Sequence, residues 1–174
     1  MKNNTFQDMI KPMIVLVLIC LVVSALLGFT NSVTEPIIAE NKRVAAEQTR
    51  KAVLAGSDSF TEIACDADAL GITGAFREDS GLGYVITAER KGYGGMVEVT
   101  VGLDPAGKIV GLSANVSTET TGVGSKAGQS DYTDRYLGLS GECGGVDTIS
   151  GATYSSGAVK NSVSAALAAF DVIK

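Results

Sequence analysis

Two short segments rich in glycine, serine and threonine contain the residues best suited to chemistry. Residues 117–125 follow a run of strand-forming residues, and residues 147–157 lead into a predicted helix. The exposed N–H groups at a helix N-terminus favour a phosphate. Gly151 would let a ligand approach the backbone there, and the hydroxyl of Thr153 could form a phosphoester. The alternative interpretation is ordinary turn and cap chemistry, in which serine and threonine accept from helix N–H groups.

The composition narrows the chemistry further. The 174-residue chain contains no histidine and no tryptophan, which excludes Ser-His-Asp and Cys-His nucleophile systems and His-ligated haem, zinc or iron. Neither segment is a Walker A loop or a dinucleotide-binding G-x-G-x-x-G sequence. The chain contains 14 basic and 19 acidic residues, for a net charge of −5. Because it has no basic excess to neutralise phosphates, no nucleic-acid partner is expected. Chemistry near neutral pH must come from carboxylates, hydroxyls, thiols, lysines or a cofactor.

The three cysteines leave two interpretations open. Cys20 lies within an apolar run and is expected to be a packed apolar residue. Cys65 and Cys143 either form a disulfide in an oxidising compartment or remain reduced and buried. Without a C-x-x-C pair or a histidine, a metal centre within this chain is not expected.

Residues 147–153 (Asp-Thr-Ile-Ser-Gly-Ala-Thr) resemble the D-x-x-S/T-G-A-T flavinylation motif of FMN-binding domains. In that family FMN is joined through its phosphate to the final threonine, so the resemblance implies a covalent phosphoester at Thr153. Residues 34–43, 92–95 and 104–111 and the loop around Glu119 also occur in the order that the family shows. Over nearly the whole chain, the sequence resembles the RnfG component of the Rnf ion-translocating ferredoxin:NAD oxidoreductase.

The resemblance implies a set of cofactor-binding residues besides Thr153. They are Ser150, Gly151 and Ala152 in the motif, Glu119, Thr120, Gly122, Val123 and Gly124 in the loop that would line the flavin ring, and Tyr93. Glu119 could instead only cap local backbone N–H groups, and Tyr93 could be an ordinary turn or core tyrosine. The family loop usually reads E-T-P-G-L-G. Here Thr121 replaces the proline and Val123 the leucine, which removes a fixed φ and would alter the flavin environment but not the attachment.

The function that the resemblance implies is electron relay by a membrane-anchored redox subunit that is not catalytically complete alone. Its partners would be the other membrane and iron–sulfur subunits of an Rnf-type complex, and a separate flavin transferase would attach the FMN. Two alternatives remain: a flavinylated extracytoplasmic carrier that serves another reductase, and an anchored binding or assembly module without a cofactor.

Periodicity predicts the elements that must position these residues. Residues 83–88, 96–103 and 108–116 are β-rich runs separated by the turn sequences 91–95 and 104–107, and together they predict an antiparallel meander. Residues 60–64 and 74–76 are shorter strand candidates. Within the middle run, alternation predicts a buried face of Val97, Val99 and Val101 and a wetter face of Met96, Glu98 and Thr100.

A C-terminal helix is predicted shortly after Thr153. Its apolar stripe comprises Val159, Val163, Ala166, Leu167 and Phe170, and Ser162, Ser164 and Asp171 lie off the stripe. The expected fold class is therefore α+β: a twisted, mainly antiparallel sheet with flanking helices, preceded by one N-terminal transmembrane helix.

The apolar residues are concentrated near the N-terminus. Residues 12–34 contain no charge and residues 13–29 are almost purely apolar, and about 20 such residues span a bilayer of roughly 30 Å as a helix. A buried core helix would show a polar face, whereas this run offers only Ser24. A signal-peptide h-region of about 7–15 residues would be shorter. We therefore expect one membrane-spanning anchor.

Three parts are expected along the chain. Residues 1–34 would form a cytoplasmic N-terminus and the transmembrane anchor, residues 35–56 a stalk helix that opens at Pro36, and residues 57–174 an extracytoplasmic FMN-binding domain. Lys2 and Lys11 precede the span and no basic residue occurs between 31 and 41, which favours a single pass through the cell membrane with the N-terminus inside. Four basic residues between 42 and 51 weaken this rule.

Overall fold

The computed structural model describes residues 4–65, 70–141 and 143–174. The chain divides into two compact units, Met1–Ala46 and Glu47–Lys174. From residue 4 onward the first unit is helical, and its helix α1 (Asn4–Val53) ends within the second unit.

Among the described residues, α1 is the one helix long and apolar enough to cross a membrane, with a mean hydropathy of 2.9 in its most apolar window. None of that window is buried within the protein, and Leu16, Leu21 and Phe29 are 63–70% exposed. A helix whose apolar side chains are exposed on every side is typical of a membrane anchor rather than of a soluble core.

The predicted separate stalk helix is wrong at its start, because α1 continues through Pro36 without a break. Proline fixes φ close to the helical value, but inside a helix it removes one hydrogen bond and its ring crowds the carbonyl four residues earlier, so its position within α1 costs stability. The helix ends at Val53, close to the predicted residue 56. Gly56 follows with a positive φ of 88°, which glycine adopts without strain.

The second unit contains a five-stranded sheet within the described residues. Its strands are β1 (Phe60–Glu62), β2 (Ile72–Glu78), β3 (Tyr84–Lys91), β4 (Met96–Leu103) and β5 (Ile109–Asn115). They lie in chain order and each is antiparallel to the next. The predicted meander is confirmed and extends to the two shorter strand candidates.

The segment between β5 and the C-terminal helix consists of a 3₁₀ turn (Gly124–Gly128), the short helix α2 (Ser130–Thr133) and a second 3₁₀ turn (Asp134–Tyr136). Tyr132 and Tyr136 are buried, with their hydroxyl oxygens 2.9 Å apart. The Tyr132 hydroxyl also donates to the backbone carbonyl of Ser156 at 3.2 Å. This tyrosine pair ties the segment to the start of the C-terminal helix.

That helix, α3 (Thr153–Ile173), covers one face of the sheet and forms the main core with it. Val159, Val163 and Phe170 pack among the buried β4 residues Val97, Val99 and Val101. Ser164 and Asp171 are exposed as expected. Ser162 is fully buried instead, because the helix presents a wider buried surface than the apolar stripe alone.

The opposite face of the sheet is covered at one end by the end of α1. Val53 and Leu54 form a second, small core cluster with Val85 of β3. The predicted wetter face of β4 is therefore exposed only at its start: Met96 is 49% exposed, whereas Thr100 is buried. The end of α1 thus covers part of this face of the sheet. The fold class is α+β, as expected.

Cys65 and Cys143 are free thiols that contribute to the main core. Cys143 is buried, and burial raises the pKa of its thiol. The structure therefore matches the interpretation in which Cys65 and Cys143 remain reduced rather than forming a disulfide.

Candidate functional site

A groove of about 430 Å³ opens where three segments of the second unit meet. They are the turn between β3 and β4, the loop after β5 and the first turn of α3. Its volume lies within the usual range for small-molecule sites. The lining residues are Tyr93, Thr120, Val123, Gly124, Gly151, Ala152, Thr153, Tyr154 and Ser155.

The start of α3 gives the groove its polar end. Ala152 is the N-cap and makes no side-chain cap hydrogen bond. The N–H groups of the first helical residues, Thr153 to Ser155, have no acceptor within the helix. Thr153 is exposed, and Gly151 has a φ of +81° with open space where a Cβ would be. The helix dipole and these N–H groups make this end suited to an anion.

The segment before α3 is held in place by local hydrogen bonds. Ile149 N–H donates to Oγ of Ser156 at 3.0 Å, and Ala152 N–H donates to the carbonyl of Ile149 at 3.0 Å. Lys160 reaches back from α3 and donates to the carbonyl of Val146 at 2.8 Å. The loop therefore presents Thr153 from an ordered backbone.

Glu119 is a buried carboxylate behind the groove, only 6% exposed. Its Oε1 accepts from the backbone N–H groups of Gly94 at 3.0 Å and Gly95 at 3.3 Å, and its Oε2 accepts from that of Tyr93 at 3.2 Å. The hydroxyl of Ser155 also donates to Oε2. Glu119 thus caps backbone N–H groups, and these groups lie on another segment of the chain rather than next to Glu119 in sequence.

Glycines surround this carboxylate because nothing larger fits. A Cβ at Gly92 would lie 2.5 Å from Oε1 of Glu119. A Cβ at Gly124 would lie 2.6 Å from Oγ of Ser155 and 2.9 Å from Oε2 of Glu119. Gly92 and Gly124 are therefore needed because the chain approaches the carboxylate closely at both positions.

The pKa of Glu119 is set by two opposing effects. Burial raises the pKa, but the hydrogen bonds from Ser155 and from the backbone of Gly94, Tyr93 and Gly95 outweigh it, so the pKa lies below its ordinary value. The group is ionised at neutral pH.

Two tyrosines flank the groove. Tyr93 and Tyr154 are 73% and 74% exposed, and their ring centroids lie 6.5 Å apart with the planes tilted by 46°. Val123, 46% exposed, adds a further apolar surface. Large aromatic side chains left this exposed beside a groove are typical of a ligand or partner site.

Seven of the ten predicted site residues line the groove: Tyr93, Thr120, Val123, Gly124, Gly151, Ala152 and Thr153. Ser150 and Gly122 lie in the adjoining turns, and Glu119 lies behind the groove. Sequence reasoning missed Tyr154 and Ser155. Their position directly after Thr153, in the first turn of the predicted helix, was the available signal.

The part of the chain that the structure describes contains no cluster of His, Cys, Asp or Glu that could hold a metal ion.

The fold and the groove define a class of protein. Residues 92–168, which include all the lining residues, match the FMN-binding domain family. Residues 1–53 match the RnfG N-terminal region. Together the two matches support the identification of this chain as an RnfG-type protein with an FMN-binding domain.

A curated relative from Clostridium ljungdahlii is the G component of a proton-translocating ferredoxin:NAD(+) oxidoreductase complex. It is 25% identical to this chain over 121 residues, which cover 70% of this chain and 64% of the relative. The chain thus spans slightly less than two thirds of that protein's length.

Proposed function

We propose that the chain carries one FMN joined through its phosphate to Oγ of Thr153, and that it relays electrons within an Rnf-type ion-translocating ferredoxin:NAD oxidoreductase. The observation that supports this most strongly is the position of Thr153: it is exposed in the groove, at the first turn of a helix whose N-cap lacks a side-chain hydrogen bond. The match to the FMN-binding domain family supports the identity of the ligand.

The residues at this end of the groove fit a phosphate. The N–H groups of Thr153 to Ser155 can donate to phosphate oxygens, and the helix dipole favours the negative charge. Gly151 leaves open space beside them. Within the described part of the chain, the lining residues include neither Asp nor Glu, so no carboxylate on the groove wall would repel an anion.

The apolar part of the groove lining fits a flat aromatic ring system. Tyr93, Tyr154 and Val123 offer apolar surfaces, and Thr120, Gly124 and Ala152 complete the walls. In this proposal Ser150 and Gly122 shape the two adjoining turns, and Glu119 organises the site from behind. Bound FMN would supply one- and two-electron redox chemistry in the groove.

The anchor and the charge of the chain support the proposed setting. Helix α1 would cross the cell membrane once with the N-terminus inside, which places the FMN-binding domain on the extracytoplasmic side. Residues 35–174 contain 12 basic and 18 acidic side chains, net −6, so the domain would not adhere electrostatically to an anionic membrane surface. The proposed partners are the other membrane and iron–sulfur subunits of the complex, and a flavin transferase for maturation.

The covalent link is tested by intact mass of the full chain produced with its flavin transferase. We expect the wild-type chain to gain the mass of one FMN less one water, and Thr153→Val to gain none because it lacks the hydroxyl. Thr120→Val is the matched control, since it removes another hydroxyl from the groove wall and should keep the full mass gain. A wild-type chain of unmodified mass, or a modified Thr153→Val chain, would refute the link.

Two rival functions give different outcomes. A flavinylated carrier for another reductase would show the same mass gain but would not purify from native membranes with polytopic and iron–sulfur subunits. An anchored module without a cofactor would show no visible flavin absorbance after denaturation.

A further inference from the structure

Two of the three segments that line the groove form walls that come from distant parts of the sequence. One wall is the β3–β4 turn with Tyr93, and the other is the first turn of α3 with Thr153 and Tyr154. A bound molecule that touches both walls depends on the distance between them. Whatever fixes that distance therefore controls how such a molecule is held.

Glu119 is the residue that contacts both walls. It accepts three backbone N–H groups of the β3–β4 turn, at 3.0–3.3 Å, and the hydroxyl of Ser155 in α3. In sequence these donors lie 24–26 residues before Glu119 and 36 residues after it. One carboxylate thus joins three segments that are far apart along the chain.

The carboxylate is held closely in this position. Gly92 and Gly124 leave room for its oxygens, and a Cβ at either glycine would crowd the carboxylate. Among the described residues no lysine or arginine pairs with Glu119, and hydrogen bonds from neutral donors stabilise its ionised form. Because these hydrogen bonds are directional and reach one carboxylate from three backbone N–H groups and one hydroxyl, they fix its position relative to both walls.

We propose that Glu119 is a positioning residue for the cofactor site: through Ser155 and the 93–95 backbone it holds Tyr93 and Thr153 at a fixed separation without lining the groove. The part of this proposal that concerns FMN rests on the proposed function. The mechanical part, that Glu119 joins the two walls, concerns the chain alone.

Three variants separate this role from general stability. Ser155→Ala cuts the link to α3 and leaves the three backbone donors on Glu119. Glu119→Gln keeps the size and shape of the side chain. If the amide nitrogen takes the place of Oε2, the Ser155 hydroxyl can rotate and accept a hydrogen bond from it. Only the Tyr93 N–H then loses its acceptor, because it meets another donor. Glu119→Ala removes both links. The effects should therefore increase from Glu119→Gln to Glu119→Ala.

Glu78 offers a matched control. It is also a buried carboxylate, 3% exposed, and it accepts from Ser80 N–H at 2.8 Å, Ser80 Oγ at 2.7 Å and Leu82 N–H at 3.0 Å. These donors belong to the β2–β3 turn, away from the groove. Glu78→Gln therefore perturbs a turn that is also held by a buried carboxylate, without changing a contact to either wall of the groove.

The first measurement is amide hydrogen exchange of the full chain in detergent, without cofactor. We expect peptides that contain residues 93–95 to exchange at least tenfold faster in Glu119→Ala than in wild type, and less so in Glu119→Gln. In Ser155→Ala the first turn of α3 should exchange faster while 93–95 stays protected. The proposal would be overturned if these peptides exchanged at the wild-type rate in both Glu119 variants. It would also be overturned if Glu78→Gln accelerated their exchange as much as Glu119→Ala does.

The second measurement is visible circular dichroism of the flavin in the FMN-loaded chain, which reports the ring's surroundings rather than stability. Ser155→Ala should change the flavin bands although Thr153 stays modified, and Glu78→Gln should leave them as in wild type. If the wild-type chain carries no FMN, the proposed function fails, and the exchange experiment still decides the role of Glu119. If FMN is present and the bands do not move in Ser155→Ala or Glu119→Gln, the positioning role fails alone.

Discussion

At the scale of single residues, two buried carboxylates organise two turns of the same sheet. Glu78 accepts the N–H groups of the β2–β3 turn, and Glu119 accepts those of the β3–β4 turn. The hydrogen bond from Ser80, followed by that from Leu82, lowers the pKa of Glu78. Both groups prefer the ionised form in the native state, so the fold is linked to pH through them.

We predict that the second unit loses stability in acid and that Glu119 contributes to this loss. Its pKa is lower in the native state than the ordinary 4.5, so the stabilisation is complete above about pH 5 and disappears as the pH falls through the native pKa. Near-UV circular dichroism of the buried Tyr132 and Tyr136 reports unfolding in a chain without tryptophan. Glu119→Gln should be less stable at pH 7 and should lose less on acidification.

The control for this experiment is Glu62→Gln, which changes an exposed carboxylate on β1. It should follow the wild-type curve. An unchanged acid dependence in Glu119→Gln would contradict the assignment.

At the scale of elements, the end of α1 lies directly on the sheet because two glycines make room for it. Gly102 of β4 and Gly111 of β5 are paired across the strands. A Cβ at either position would overlap the backbone carbonyl of Val53. The helix therefore contacts the sheet through its backbone, and Val53 and Leu54 pack beside Val85.

Alanine at either glycine should destabilise the second unit. A methyl group forced into this contact would displace the end of α1 and lower the free energy of unfolding by about 1–3 kcal/mol. Chemical denaturation of the full chain in detergent measures the change. Gly157→Ala is the matched control: its Cβ meets nothing within 4 Å inside α3, so it should stabilise by about 0.5–1 kcal/mol through helix propensity. If Gly111→Ala were as stable as wild type, the close contact between the end of α1 and the sheet would be contradicted.

At the scale of the whole molecule, an apolar helix and an acidic α+β domain are joined in one chain. The proposed orientation places the two chain ends on opposite sides of the cell membrane, and single cysteines test it. Val172→Cys, 75% exposed at the end of α3, should react with an impermeant maleimide on intact spheroplasts. Met9→Cys, 71% exposed near the start of α1, should react only after permeabilisation, and the parent chain gives the background from the three native cysteines. The reverse pattern would overturn the orientation.

Local pattern predicts most of the elements. The bounds of β4 agree with the alternating run, and the start and stripe of α3 agree with the helical spacing. The wrong prediction for the wetter face of β4 arises because a neighbour far away in sequence decides the outcome. Alternation predicts a wet Thr100, yet the sheet face on which it lies is covered at one end by the end of α1. Pro36 is typical of a helix start, yet the helix passes through it.

The sequence by itself determined the membrane-length apolar run, the antiparallel meander and the phosphate-suited segment that ends in Thr153, because each depends on residues close together in the chain. Only the tertiary structure decided that Tyr93 and Tyr154 flank one groove and that Glu119 lies buried behind it. That arrangement depends on hydrogen bonds between residues 24 to 36 positions apart. No local propensity specifies such contacts; they form only when packing of α3 on the sheet brings the three segments together.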